Sequence, residues 1–330
     1  MIKRFAARTL AAALTAAAAL APAPGWAADD LPDRLVVTAG GTSGTYYRFA
    51  SGIAQVAAKY GVTVDVVESQ GSVQNIRRLL GYEGPEQDRY YQLAFVQGDV
   101  LEQLREDAST NPTLRAIVGR IKVVVPLYVE EVHLYSRSDS DLDRIQDLFV
   151  DGRIIGAGKL NSGSLVTAQS LFRAAGGVEM IETFDPLGGD DALRALMRNR
   201  MHAFFDVVGA PGGRGNSAQA AEGQLKLMSI ELDEIEFGPE SAYVPKVLTS
   251  EQYPWLTEPV NTIGVTAFLV TFDYDEESPY CEMLTNLTRS IIENQDLLSR
   301  ENHPKWDDFD QREARQRSDV HVCARRGMLE

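Results

Sequence analysis

Histidine and cysteine are scarce in this chain: four and two in 330 residues. The histidines, His133, His202, His303 and His321, show no H-x-x-x-H or other ligand spacing, so no metal centre is expected. The alternating acids Asp139, Asp141 and Asp143 suggest a calcium loop. Arg144 stands where such a loop needs glycine, and Val150 where it needs the bidentate glutamate, so the stretch reads as solvated and helix-capping. Positive charge is also short: 32 Lys and Arg against 47 Asp and Glu give a formal charge of −15. That balance repels nucleic acid and anionic lipid, and no nucleic-acid partner is expected. Beyond the N-terminus no apolar run approaches the about 18 residues a membrane span needs.

Nucleotide and hydrolase signatures are missing too. "GGTSGT" (40–45) is not G-x-G-x-x-G. "GAGKLNSGS" (156–164) has a GK pair, but Arg153 sits where a phosphate loop needs its first glycine, and Leu160 follows Lys159 in place of Ser or Thr. No G-x-S-x-G elbow occurs, and no serine is visibly matched to a histidine and an acid. Acidic pairs such as Glu130–Glu131 and Asp190–Asp191 are too ordinary in so acidic a chain to mark an acid–base dyad. No cofactor is expected, and the chain does not read as an enzyme.

The N-terminus reads as a targeting segment. Lys3, Arg4 and Arg8 precede the short apolar run "TLAAALTAAAALA", and small residues at Gly25 and Ala27 allow cleavage after Ala27. Residues 1–27 are therefore expected to be a signal peptide, and the mature protein to be periplasmic. Their removal takes away three basic residues and no acid, moving the charge from −15 to −18. In an oxidising compartment Cys281 and Cys323 are a candidate disulfide pinning the C-terminal tail, worth about 4 kcal/mol in the chain-entropy model. The alternative is two unpaired thiols.

A 44% hydrophobic chain of this length builds one large or two ordinary domains. Strand and helix patterns alternate. "RLVVTAG", "VTVDVVES" and "YQLAFVQG" read as strands separated by helical segments, and "IKVVVPLYVEEVHLYSRSD" as a long β stretch broken at Pro126. A similar unit follows, with "RIIGAG" and "MHAFFDVVGAP" as strands and "LVTAQSLFRAAGG" and "GDDALRALMRNR" as helices. The last thirty or so residues read as polar and irregular. The expected fold is α/β in two lobes, each a mostly parallel sheet flanked by helices, with the ligand cleft between them. Lobe I is expected to comprise 28–128 plus 245–330, and lobe II 129–244.

Three glycine/serine turns close predicted strands and open predicted helices: "GGTSGTYY" (40–47), "SQGSVQN" (69–75) and "GAGKLNSGSLVTA" (156–168). Helix N-termini carry free N–H groups and partial positive charge, and glycine lets the backbone approach a ligand. One such turn is an ordinary cap. Three at the carboxyl ends of strands suggest a site for a small anion, especially a carboxylate. "FVQGDV" puts Gln97 and Asp99 at the end of the third strand, where either reaches the cleft or serves as a turn and cap residue.

These motifs, with "VVESQGSVQNIRRL", "DLDRIQDLFVDGRIIGAGKLNSGSLVTAQSLF", "ALRALMRNRMHAFFDVVGAP" and "NTIGVTAFLV", resemble the TAXI family of solute-binding proteins over most of residues 35–270. These are extracytoplasmic receptors of a class of TRAP transporters. The resemblance implies a two-lobed periplasmic-binding-protein fold of type II-like form. It implies a small carboxylate ligand, such as glutamate or a related amino or organic acid. It also implies a partner, an integral membrane TRAP transporter driven by an ion gradient, commonly sodium. Carried over position by position, it suggests Thr42, Ser43 and Tyr46 from the first turn, Ser72 and Asn75 from the second, and Gln97 from the third strand. From the second lobe it suggests Ser162, Gly163 and Ser164, with Phe205 or Val208 as a wall. "GAGKLNSGS" is longer and more basic than the usual family form, and Lys159 either meets a second carboxylate or faces solvent. Two other readings share this scaffold: a secreted transferase or hydrolase, and a ligand sensor for a membrane kinase.

Overall fold

The computed structural model describes residues 34–81, 90–235, 237 and 241–329. The expected signal peptide, residues 1–27, lies outside the described residues. Among the described residues ten strands form one continuous sheet: β1 (Arg34–Thr38), β2 (Thr63–Val67), β3 (Leu93–Gln97), β4 (Ile121–Arg137), β5 (Ile155–Gly156), β6 (Phe184–Asp185), β7 (Ala203–Val208), β8 (Leu225–Leu227), β9 (Tyr243–Leu248) and β10 (Val260–Phe272). The main order is β2-β1-β3-β10-β4-β7-β5-β6, with β8 paired to β4 and β9 to β10.

Two long strands make the lobes one sheet. The first half of β4 and the second half of β10 pair with each other, and β10 pairs with β3. The second half of β4 pairs with β7 and β8, and the first half of β10 with β9. The outer strands are parallel: β1 to β2 and β3, β5 to β6 and β7. The pairings of β4 and β10 are antiparallel, because each crosses from lobe to lobe against the direction of its neighbours. Pro126 does not break β4, contrary to the sequence expectation. It faces Phe268 beside a register shift in β10, where a missing N–H is tolerated.

Hydrophobic packing divides along the same crossing. One cluster holds Phe49, Phe95, Tyr128, Phe268 and Trp306. Two others cover the faces of the second half: Leu134, Phe172, Phe205, Tyr243 and Val265 on one, Tyr135, Phe204, Leu248 and Tyr253 on the other. We therefore place one lobe boundary in β4 near Val129 and the other within β10 near Val265. The sequence expectation sets that boundary at 244/245; β9 and the chain after it pack with the second-lobe clusters. The tail is not irregular. Helices Gln311–Gln316 and Val322–Leu329 follow, with Trp306, Phe309, Val320 and Met328 in the first-lobe core. Cys281 and Cys323 are bonded, with Cα atoms 5.2 Å apart, fastening the last helix to Pro279–Glu293. Among the described residues no helix is long and apolar enough to cross a membrane.

Candidate functional site

Several strands that end at the lobe boundary feed helices there. In the first lobe β1 leads to α1 (Thr45–Ala57), β2 to α2 (Ser72–Leu79) and β3 to α3 (Gly98–Ser109). After a short α4 (Pro112–Val118), the second lobe adds α5 (Gly163–Ala174) following β5 and α6 (Gly189–Met197) following β6. The N-cap residues of α1, α2, α5 and α6 are Gly44, Gly71, Ser162 and Gly188, and all four line one cavity of about 330 Å³. The three glycine caps offer no side-chain acceptor. The first N–H groups of α1 and α6, and those of Ser72 and Val73 in α2, are therefore left for whatever occupies the cavity. Only Ser162 caps its own helix, its Oγ accepting from Leu165 N at 3.3 Å.

The lobes are closed around this cavity. Gln74 N–H donates to the Asn161 carbonyl at 3.1 Å, and Asn161 Nδ2 to Gln70 Oε1 at 3.1 Å. Two glycines make the contact possible. A Cβ on Gly163 would lie 1.4 Å from Gln97 Oε1, and one on Gly71, at φ 121°, would meet Ser162 Cα at 3.3 Å. Gln97 spans the seam: its N–H donates to Ser72 Oγ at 3.1 Å and its Nε2 to Thr167 Oγ1 at 3.2 Å.

The cavity brings together Thr42, Ser43, Tyr46, Ser72, Gln97, Ser162, Gly163, Ser164, Phe205 and Val208, ten of the eleven residues singled out from sequence. Asn75, the eleventh, does not line it. It is fully buried behind the cavity, accepting from Thr38 Oγ1 at 2.6 Å and donating to the carbonyls of Ala39 and Phe95. Its amide ties β1 to β3, so it shapes the first lobe's end without lining the cavity. Asp99 does not line it either. Lys159 does, and is exposed at its rim.

Several charged lining residues were not singled out from sequence: Glu68, Glu130, Asp190, Asp191, Arg194, Asp206 and Arg214. Arg214 reaches Asp190 at 3.3 Å and Asp206 at 3.7 Å. Tyr46 OH donates to Glu130 Oε2 at 2.6 Å. Burial, and then the nearby Asp99, Glu131 and Asp206, push the Glu130 carboxyl well above the usual range, against the lowering effect of the Tyr46 bond. Burial and the Glu130 charge likewise push the Tyr46 phenol up. In sequence only the unbroken β run through Glu130 hinted that it is buried.

Two further acids sit at the lobe boundary. Glu131 is paired with Lys305 and accepts from Ala210 N at 2.8 Å, and Asp308 takes Lys305 Nζ at 2.8 Å. Burial alone would lower the Lys305 ammonium; its two carboxylate partners more than offset this and hold it above its ordinary value. Asp99 accepts from Thr167 Oγ1 at 2.6 Å and Tyr243 OH at 2.8 Å, both second-lobe donors, and from Val100 N at 2.8 Å.

A sequence model described as the NMT1-like family matches residues 37–326. Among solved structures, MatC from Rhodopseudomonas palustris with bound malate is similar at a TM-score of 0.52 and 15% identity, covering 90% of this chain and 96% of that one. A TctC solute binding protein from Polaromonas is similar at a TM-score of 0.43 and 15% identity, covering 82% and 88%. The periplasmic aliphatic sulphonate binding protein SsuA from Escherichia coli is similar at 0.44 and 14%, covering 82% and 78%. The architecture is that of the two-lobed periplasmic binding proteins.

Proposed function

We propose, for a chain that belongs to the NMT1-like family, a role as the extracytoplasmic solute receptor of a TRAP-type secondary transporter of the TAXI class. It binds a small carboxylate, glutamate or a related amino or organic acid, between its lobes, and makes or breaks no bond. The observation that carries this is the convergence of four helix N-termini, three of them without side-chain caps, on one cavity between the lobes. A carboxylate there takes the unmatched N–H groups and the hydroxyls of Thr42, Ser43 and Ser72. The cavity, about 330 Å³, suits a small acid. MatC, on the same fold, holds malate, so the scaffold accommodates a small carboxylate.

Ligand contacts come from both lobes, so binding favours the closed form over the open one. The closed form is then what a membrane transporter subunit recognises. The resemblance in the motifs supports the transporter class, and the basic, apolar, small-residue order of residues 1–27 supports a periplasmic location.

Native mass spectrometry of the purified mature protein, followed by thermal melts with glutamate, glutamine and dicarboxylates, tests the reading. A ligand at a hundred times its Kd stabilises by about 2.7 kcal/mol, a shift of a few degrees. A co-purified acid and a saturable shift are expected. Turnover of the bound compound, or no shift with any small acid, overturns the reading.

A further inference from the structure

The cavity is unevenly charged. Its acids are Glu68, Glu130, Asp190, Asp191 and Asp206, and its bases Lys159, Arg194 and Arg214. Three of the acids already face cations: Asp190 and Asp206 share Arg214, and Asp191 meets Arg194 at 2.5 Å. Glu68 is exposed at the rim, where its Oε1 accepts from Thr42 N at 3.4 Å. Glu130 stands apart. It is 3% exposed, and Tyr46 OH on Oε2 is its one side-chain hydrogen bond among the described residues. Lys305, the cation that reaches the adjacent residue Glu131, is engaged by Glu131 and Asp308. A buried carboxyl with an oxygen left over at a cavity wall calls for a partner from inside that cavity.

We infer, resting on the carboxylate-receptor reading, that Glu130 selects among small carboxylates by taking a protonated amine of the ligand. The ligand is then an ammonium-bearing carboxylate: its acid end at the helix N-termini, its amine at Glu130. A second anionic group at this corner is the competing arrangement, with a protonated Glu130 donating to it. The surroundings favour the amine. Asp99, Glu131 and Asp206 all act on Glu130 in the direction of repelling negative charge, and the lining already holds more acids than bases. An ammonium relieves that repulsion, whereas a second anion adds to it. The same surroundings raise the Glu130 carboxyl and an arriving ammonium lowers it, so binding of an amine shifts Glu130 toward proton release.

Isothermal titration with acids that share a carbon skeleton tests this: glutamate and 2-oxoglutarate, leucine and 4-methyl-2-oxopentanoate, on the full chain and on Glu130→Gln. The amino member of the series that fits is expected to bind about a hundredfold tighter than its oxo partner. Glu130→Gln is expected to shrink that ratio to a few-fold while melting no lower than the wild type. Wild-type titrations in phosphate and in Tris are expected to show proton release with the amino member, a readout that stands even if Glu130→Gln fails to fold. An oxo partner that binds as well as its amino acid, a ratio unchanged in Glu130→Gln, or proton uptake in place of release overturns the inference and leaves the carboxylate receptor standing. If no member of either series binds, the receptor reading falls and takes the inference with it.

Discussion

Asp99 and Glu130 are both carboxyls buried where the lobes meet, 4% and 3% exposed, and the fold treats them in opposite ways. Asp99 receives three donors, two of them from the other lobe, and its carboxyl rises from 3.8 to only about 6. Glu130 receives one donor, and burial among other acids drives it well above its ordinary range. Burial is nearly equal, so the difference is in hydrogen bonds and neighbouring charge. A satisfied acid is a clasp, complete without help. An acid left short at a cavity wall belongs to whatever the cavity holds. Glu131, next in sequence to Glu130, shows a third treatment, direct pairing with a buried cation.

That third treatment gives the largest expected effect. Lys305→Met strips the cation from a carboxylate whose side chain is 5% exposed. Leaving one buried charge unpaired costs about 3–5 kcal/mol, read by urea unfolding. Adding Glu131→Gln should return most of the loss, because the uncompensated charge goes with it. A loss near zero in the single variant would mean that water reaches Glu131, and would blur the distinction from Asp99.

The folded Asp99 carboxyl sits above its ordinary 3.8, at about 6, chiefly through burial. Folding therefore favours its protonated form. This contribution is full below about pH 4 and is lost as pH rises through about 6. A rise of that size corresponds to about 3 kcal/mol between the two ends of the range. The stability difference between wild type and Asp99→Asn, measured by urea titration from pH 4 to 7, should change by that order, with the wild type losing ground as pH rises. A flat difference would show that the three donors restore an ordinary carboxylate.

Much of this was readable from local sequence, and the failures have a common cause. The glycine/serine turns were legible because a strand end, a glycine and a helix start are neighbours in the chain, as at Gly71-Ser72. Asn75 carries the same local signal, yet its amide turns back onto the Ala39 and Phe95 carbonyls, partners set by strand pairing. Asp206 and Arg214 gave no signal at all, and Glu130 only the hint of burial in an unbroken β run. In a chain with 47 acids a single carboxylate is ordinary until β4 carries it through the lobe boundary. The boundary near Val265 rests on a contact of the same kind: β9 pairs with the second-lobe half of β10, which composition does not reveal.

The smallest effect separates clasp from cavity most directly. Tyr243→Phe removes one hydroxyl donor from Asp99 and keeps the ring against Phe237. Thr167 and the Val100 N–H remain, so the cost is about 1 kcal/mol, the usual worth of one hydrogen bond among several. The donor it removes holds the Asp99 carboxyl down, so the midpoint of the pH dependence should move above about 6. Because Tyr243 lies on the second lobe and Asp99 on the first, the loss falls on the closed form, and ligand affinity should drop about fivefold at neutral pH. The preference for an amino over an oxo acid, which belongs to Glu130, should not change. If Tyr243→Phe altered that preference as Glu130→Gln is expected to, the two acids would be parts of one site, and the division between clasp and cavity would fail.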